Sequence, residues 1–359
     1  MNKYCFLALS LLLSFCACEP SNETITDEPL LENTVTVDSK ITGGNILKTF
    51  RLTGLGTESF DMPSQTNAKW IALSPIINIR KAPDGSLFFE ANKAANVPKI
   101  IANIKDKGAD NFMLKPQISF ELLGFDFWGD FQASSEEQWQ EIEASFRTLL
   151  LAYAATSATN PEVKILCIGN ELSHFTRLRP NFFKSIAQEI KNLYPDLKLT
   201  YAANWDEYEH ITFWDSIDYI GINPYFPLVN KATPSVADIQ NAYKSIKTKL
   251  SNLSATHNKP ILFTEYGFRS IDFAAWKAWE LPDFITNQSA YNPDVQSNGY
   301  QAFFNTFWKE KWVAGGFFWV WEIVPQADID NGLESNYLNS DWTINYKPVL
   351  DVIKFNYLN

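Results

Sequence analysis

Short apolar runs alternate along the chain with longer stretches in which apolar residues recur at helical spacing. The interiors of the runs are almost continuously apolar, which is typical of strands buried on both faces. The clearest runs are 70–79, 111–120, 163–171, 198–205, 218–225, 260–267 and 315–322. A weaker run at 50–56 is interpreted as the first strand, so the pattern predicts eight strands.

The segments between the runs have the start signals of helices. Ser135 followed by two glutamates predicts an N-cap with acidic first-turn residues, and prolines stand where other helices should begin. The predicted helices span 94–107, 135–156, 180–194, 234–256 and 293–308, with a last one from Pro348. This alternation predicts an α/β fold, specifically a (β/α)₈ TIM barrel. The alternative is an open doubly wound sheet, but no glycine-rich phosphate turn follows any strand to favour it.

The N-terminus has the pattern of a processed targeting segment. Lys3 precedes the apolar run 5–17, which is shorter than the roughly 20 residues that a membrane-spanning helix needs. The run ends at Ala17-Cys18, which resembles a bacterial lipobox. We interpret residues 1–17 as a lipoprotein signal peptide and Cys18 as the lipidated residue; an ordinary cleaved signal peptide and a retained anchor are the alternatives.

Residues 18–45 are rich in acidic and small polar side chains and bury little apolar surface. They are predicted to form a flexible tether, with the barrel domain at 46–359. The expected location is the bacterial envelope, with the lipid as the membrane contact. Acidic residues soon after Cys18 fit display on an outer membrane.

Composition and charge narrow the classes of ligand. A net charge of −11 argues against nucleic acid partners. The 12 Trp, 14 Tyr and 27 Phe suit both a large core and the stacking of sugar rings. Cys167 is the one cysteine of the predicted domain, so no disulfide is expected there, and the thiol is predicted to be buried and inert. The three scattered histidines have no metal-ligand spacing, so neither a metal nor a cofactor is expected.

Polar and aromatic side chains stand where the predicted strands end. The C-terminal ends of barrel strands form the active-site face of a TIM barrel. The candidate binding residues at these ends are Lys115, Gln117, Asn170, Asn204, Trp205, Tyr225, Trp319 and Trp321. Charge, amide and indole groups at one mouth favour a polysaccharide cleft. Trp128, Trp276 and Trp279 fall in loop-like stretches, where sugar binding and loop packing are equally open.

Two glutamates fall at the ends of long apolar strands. Glu171 ends the fourth predicted strand and Glu265 the seventh, so the two can face each other across the mouth. A retaining glycosidase needs such a pair, one to protonate the glycosidic oxygen and one to attack the anomeric carbon. The alternative for each is a structural role in a salt bridge or a strand-end cap.

The sequence around these residues resembles a known family. Asn170-Glu171 after the fourth strand and Glu265 at the end of the seventh are similar to clan GH-A glycoside hydrolases. The segments 113–118, 127–131, 167–175, 201–228 and 261–272 more closely resemble the β-mannanases of glycoside hydrolase family 113. The resemblance implies a retaining endo-β-1,4-mannanase acting on mannan or glucomannan.

The resemblance also implies roles for single residues. Glu171 would be the general acid/base and Glu265 the nucleophile. Asn170 would bind the sugar 2-hydroxyl, and Tyr225 would hold the carboxylate of Glu265. Trp319 and Trp321 would form part of the sugar platform.

The sequence departs from the family pattern at two places. Gln117 stands where a histidine is expected after Lys-Pro, and the first strand has no evident aromatic residue. Both departures bear on the exact substrate. The open alternatives are another β-linked glycan, exo-action, and a non-catalytic glycan-binding surface lipoprotein.

Overall fold

Eight parallel strands close into a barrel in the computed structural model, which describes residues 29–53, 60–279, 291–323 and 341–358. The strands of the chain are β1 (Ile41–Ile46), β2 (Trp70–Leu73), β3 (Ile76–Lys81), β4 (Leu87–Phe89), β5 (Asn111–Leu114), β6 (Gln117–Ser119), β7 (Val163–Asn170), β8 (Lys198–Asn204), β9 (Tyr219–Asn223), β10 (Ile261–Tyr266) and β11 (Val313–Trp321). The order around the barrel is β1, β2, β5, β7, β8, β9, β10, β11 and back to β1. The predicted (β/α)₈ barrel is confirmed.

Helices lie between the barrel strands, close to their predicted positions. The α-helices are α1 (Met62–Thr66), α2 (Val97–Ile104), α3 (Glu136–Ala155), α4 (Ser173–Leu178), α5 (Pro180–Leu193), α6 (Val236–His257), α7 (Pro293–Phe303) and α8 (Val349–Leu358), and the π-helix Phe304–Trp308 extends α7. Short 3₁₀ helices occupy Thr49–Thr53, Ala91–Asn96, Lys105–Lys107, Glu121–Leu123, Trp128–Asp130, Thr156–Ala158, Tyr208–His210 and Trp214–Ser216. The predicted N-cap is confirmed, since Ser135 Oγ accepts the N–H of Gln138 at 3.2 Å.

The prediction of the first strand was wrong. The strand is β1, and residues 50–53 of the predicted run 50–56 lie in the 3₁₀ helix Thr49–Thr53, while residues 54–56 lie outside the described residues. β1 reads ITGGNI, which has no apolar run to detect. Its glycines are required by packing: a Cβ on Gly43 would lie 2.3 Å from the Phe317 ring, and one on Gly44 would lie 2.2 Å from the Phe318 ring.

The N-terminal boundary of the barrel moves accordingly. Residues 41–45 were predicted as tether but belong to β1. The preceding residues also contact the barrel: Val37 N–H donates to Lys311 O at 3.0 Å, and Asn33 Nδ2 donates to Ser251 O at 3.0 Å. Residues 1–28, with Cys18 and the signal segment, lie outside the described residues. No helix in the described part of the chain is long and apolar enough to cross a bilayer.

Two predicted long strands are each divided by a proline. The run 70–79 breaks after β2 at Pro75, and the run 111–120 breaks after β5 at Pro116. Proline has no N–H to continue a ladder. The second halves form a separate sheet in which β3 pairs with β4 and β6. The sheet strands β3 and β6 follow the barrel strands β2 and β5 along the chain. Lys115 lies between β5 and β6.

The apolar core has two main parts, a large one between the barrel and its helices and a smaller one inside the barrel that includes Cys167. Cys167 is buried on β7, and its Sγ lies 3.1 Å from the carbonyl of Gly169. Burial raises the pKa of this thiol to about 11, so it stays protonated at neutral pH. The prediction of a buried thiol is confirmed.

Candidate active site

The two candidate glutamates stand at the mouth of the barrel, on strands separated by β8 and β9. Glu171 directly follows β7, and Glu265 is the second-last residue of β10. Glu171 has a φ of 53°, an uncommon backbone conformation for a residue with a Cβ. Its N–H donates to Ala202 O of β8 at 2.8 Å. The backbone of Glu171 is therefore fixed at a sharp turn as the chain leaves the barrel.

Glu171 is an almost buried carboxyl with one side-chain hydrogen-bond donor. It is 8% exposed, and Asn223 Nδ2 donates to its Oε1 at 2.8 Å. Thr264 Oγ1 donates to Asn223 Oδ1 at 2.7 Å, which orients the amide. Burial, and then the charge of Glu265, raise the pKa of Glu171 to about 8, although the Asn223 hydrogen bond opposes the shift. Glu171 therefore carries a proton at neutral pH.

Glu265 is equally buried but has three donors. Lys115 Nζ forms an ion pair with Oε1, Gln117 Nε2 donates to the same oxygen at 3.3 Å, and Tyr225 OH donates to Oε2 at 2.9 Å. The contact between Tyr225 and Glu265 that the resemblance implied is confirmed. With both oxygens held, the carboxylate has one orientation and a counter-charge.

Lys115 is the buried cation of the site. Its side chain is fully buried, and Nζ lies 5.1 Å from the centroid of the Trp319 ring. A buried lysine needs a partner charge, and Glu265 supplies it. Lys115 therefore acts on the carboxylate and does not line the open cavity.

Asn170 has an unused donor beside Glu171. Its Oδ1 accepts Asn223 Nδ2 at 3.2 Å. Its Nδ2 is buried and has no hydrogen-bond partner among the described residues. A buried amide without a partner is costly, so the site has a donor that a ligand hydroxyl can satisfy.

A cavity of about 690 Å³ joins the two glutamates. Its polar wall includes Gln117, Asn204 and Asp206. Its aromatic wall consists of Phe127, Trp128, Trp205, Tyr225, Trp279, Trp319 and Trp342. An aromatic wall with few polar groups is the composition of a sugar-binding cleft.

The structure separates the predicted tryptophans into two groups. Trp205 and Trp279 stack with ring centroids 5.0 Å apart, and both line the cavity with Trp319 and Trp128. Trp276 is 38% exposed and does not line it. The prediction for Trp321 was wrong: it is 4% exposed and packs in the main core.

Sequence reasoning gave no role to three residues of the site. Asn223 is the last residue of β9 and donates to Glu171, but an asparagine at a strand end has no distinctive sequence signal. Phe127 and Trp342 lie in irregular segments, and Trp342 is fixed by a hydrogen bond from its Nε1 to Ala278 O at 3.0 Å. No periodic signal marks such positions. In the described part of the chain, no three His, Cys, Asp or Glu residues cluster as a metal site would require.

The sequence and the fold are both similar to those of known glycoside hydrolases. The sequence model of Glycoside Hydrolase Family 113 matches residues 53–340. A GH113 β-1,4-mannanase structure is similar with a TM-score of 0.70 at 18% identity, covering 89% of this chain and 99% of that one. The GH113 β-mannanase from Alicyclobacillus acidocaldarius has a TM-score of 0.66 at 19% identity, covering 89% and 98%.

A less similar structure belongs to an enzyme with a different activity. A β-D-glucuronidase from Dictyoglomus thermophilum has a TM-score of 0.57 at 13% identity, over 91% of this chain and 51% of that one. A search of curated proteins gave no significant match. At such identities the structural likenesses show the fold alone.

Proposed function

This chain belongs to glycoside hydrolase family 113, since the model of that family matches most of its length, and on that premise we propose that it is a retaining endo-β-1,4-mannanase. Two buried carboxyl groups share one cavity but have opposed surroundings, and this observation carries the proposal. Glu171 is held protonated by burial and by the neighbouring negative charge. Glu265 is paired with a lysine and two further donors.

The first half of the reaction uses the carboxylate of Glu265 and the proton of Glu171. The Glu265 carboxylate attacks the anomeric carbon and forms a glycosyl ester. The glycosidic bond breaks, and its oxygen takes the proton of Glu171. Because Glu265 is already oriented by its donors, little reorganisation is needed at the moment of attack.

The second half reverses the role of Glu171. The ester at Glu265 has no charge, which removes the larger of the two neighbouring charges that raise the pKa of Glu171. Glu171 then takes a proton from water, the water oxygen attacks the anomeric carbon, and the Glu265 carboxylate leaves. Two displacements at one carbon give net retention.

The charge of the cleft favours a neutral glycan. Among the described residues that line the cavity, four are carboxylic, Asp126, Glu171, Asp206 and Glu265, and none is basic. An acidic sugar would meet unfavourable charge there, although the fold is shared with a glucuronidase. The family match and the mannanase neighbours support β-1,4-mannan as the neutral glycan.

Reducing-end release tests the proposal. The chain from residue 19 onward, which retains β1, is incubated with mannan, glucomannan, cellulose and xylan, beside Glu171→Gln and Glu265→Gln. We expect short oligosaccharides from mannan and glucomannan, no product from Glu265→Gln and at most a small fraction of the wild-type product from Glu171→Gln. Cleavage of another glycan alone would overturn the substrate, and binding without cleavage would overturn the enzyme proposal.

Proton NMR of the first product separates the two stereochemical courses. Retention predicts that the newly formed reducing end is β before mutarotation. An initial α product would mean a single displacement and would overturn the role of Glu265 as nucleophile.

We also propose that the chain is lipid-anchored in the bacterial envelope. The apolar run that ends at Ala17-Cys18 and the acidic segment after it support this location. Labelling of the full chain with radioactive palmitate in a bacterial host tests it. Cys18→Ser should abolish the label while Cys16→Ser retains it. Unlabelled wild-type chain would overturn the anchor.

A further inference from the structure

A third buried carboxyl group lies next to the site and takes no part in the proposed chemistry. Glu207 is 0% exposed and stands at the end of the turn that follows β8. A buried carboxylate is costly unless donors surround it. Its donors therefore show which parts of the site this carboxyl group holds together.

Glu207 accepts three hydrogen bonds. Tyr201 OH donates to Oε1 at 2.6 Å, and Thr176 Oγ1 donates to the same oxygen at 3.0 Å. The N–H of Asn204 donates to Oε2 at 3.1 Å. The carboxylate therefore joins β8, the following turn and helix α4.

One arm of this network reaches the backbone beside Glu171. Tyr201 OH accepts the N–H of Leu172 at 2.7 Å, so its own proton is directed to Glu207. Leu172 directly follows Glu171, whose φ of 53° and whose N–H bond to Ala202 fix the other side. The unusual turn at Glu171 is thus held to β8 on both sides.

The other arm reaches the sugar-binding wall. Glu207 accepts the N–H of Asn204 and donates its own N–H to Asn204 O at 3.0 Å, which closes the turn 204–207. Asn204, Trp205 and Asp206 within this turn line the cavity. Trp205 is the residue that stacks on Trp279.

We propose that Glu207 is a positioning residue that fixes the acid/base Glu171 and the Trp205 wall in one geometry. This rests on the function proposed for the cleft. A carboxylate suits this position because the Glu207 side chain accepts from two hydroxyls and from the backbone N–H of Asn204. An amide at this position would turn an N–H₂ group toward at least one donor.

Charge adds a second link between Glu207 and Glu171. Burial, and to a smaller extent the charge of Asp206, raise the pKa of Glu207 to about 7 against the effect of its three hydrogen bonds. Glu207 in turn raises the pKa of Glu171. The titratable groups that face Glu207 are Tyr201, Asp206 and Glu171.

Two substitutions separate the arms. Tyr201→Phe removes the hydroxyl that joins Glu207 to Leu172 but leaves the bonds of Glu207 to Thr176 and Asn204, so kcat should fall with KM retained. Glu207→Gln disturbs both links, so kcat should fall and KM should rise, with kcat/KM on the glycan lower by about 10- to 100-fold. Glu209→Gln is the matched control, since its carboxylate forms a surface pair with Lys249 and should leave both constants unchanged.

An activated aryl glycoside distinguishes positioning from general damage. Its leaving group needs no proton, so misplacement of Glu171 should matter little in the glycosylation step. For both variants we expect the loss of kcat/KM to be at least about fivefold smaller on this substrate than on the glycan. Equal losses on both, or wild-type kinetics with only a lowered Tm, would overturn the proposal.

A titration without turnover keeps the test independent of the assigned activity. Carbon-13 NMR of the Glu171 carboxyl should give a lower pKa in Glu207→Gln than in the wild-type chain, because a negative neighbour is removed. An identical titration would contradict the coupling. If the wild-type chain cleaves no glycan, the proposed function fails while this titration still decides whether Glu207 acts on Glu171.

Discussion

Glu171 and Glu265 are buried to nearly the same depth but differ in their partners. Glu171 has one amide donor and a negatively charged neighbour. Glu265 has a lysine, an amide and a phenol. Burial alone would raise the pKa of any carboxyl, so the donors, not the depth, distinguish an acid from a nucleophile here.

Removal of the nucleophile should have the largest effect. Glu265→Gln keeps the volume and some hydrogen bonds but cannot attack the anomeric carbon. We expect kcat to fall by at least about 10⁴-fold on glycan and on activated aryl glycosides alike. Steady-state kinetics checks this, and substantial activity on the activated substrate would contradict the assignment.

Removal of the acid should depend on the leaving group. Glu171→Gln should lower kcat/KM on the glycan by about 10²–10⁴-fold and much less on an activated aryl glycoside. Equal losses on the two substrates would mean that Glu171 does not donate the proton.

The pH profile should report the same group. Only protonated Glu171 is an acid, so kcat/KM of the wild-type chain should fall as the pH rises through about 8. Glu171→Gln should lose this limb in its residual activity. A limb that persists in the variant would belong to another group.

Removal of Lys115 should destabilise the fold and raise the pKa of Glu171. Lys115→Met leaves Glu265 buried without its counter-charge, which should cost about 3–5 kcal/mol in urea unfolding. The positive charge of Lys115 lowers the pKa of Glu171, so its loss should move the basic limb to higher pH. Lys231→Met breaks an exposed pair with Asp238 and is the control, with unfolding nearly unchanged. A basic limb that does not move would contradict the coupling.

The smallest effect is expected at the edge of the cleft. Trp279→Ala removes a ring that stacks on Trp205 and should raise KM on long glycans several-fold with kcat nearly unchanged. Trp276→Ala is a matched control, since the two rings are 38% and 40% exposed but only Trp279 lines the cavity. Similar KM values for the two variants would remove Trp279 from the binding wall.

Much of the barrel followed from the pattern of the sequence because parallel strands buried on both faces leave long apolar runs. β7, β10 and β11 could be predicted for this reason. The two glutamates stand at the ends of β7 and β10. β1 was missed because its interior positions are glycines that admit the phenylalanines of β11. Small residues leave no hydrophobic signal even when the strand is central to the fold.

The site was predicted where it lies on strands and less well elsewhere. Trp319 and Trp321 are two positions apart, and their spacing could not show that one lines the cleft while the other packs in the core. Trp342 reaches the cavity from an irregular segment far along the chain. No sequence motif marks Glu207, because its role depends on a contact between Tyr201 of β8 and Leu172, which follows β7.

Trapping of the covalent intermediate would identify the nucleophile itself. The wild-type chain is reacted with a 2-deoxy-2-fluoro glycosyl fluoride of the sugar that it releases, digested, and analysed by mass spectrometry. We expect one glycosyl label, on Glu265. A label on Glu171, or a chain that turns over the glycan but is never labelled, would contradict it.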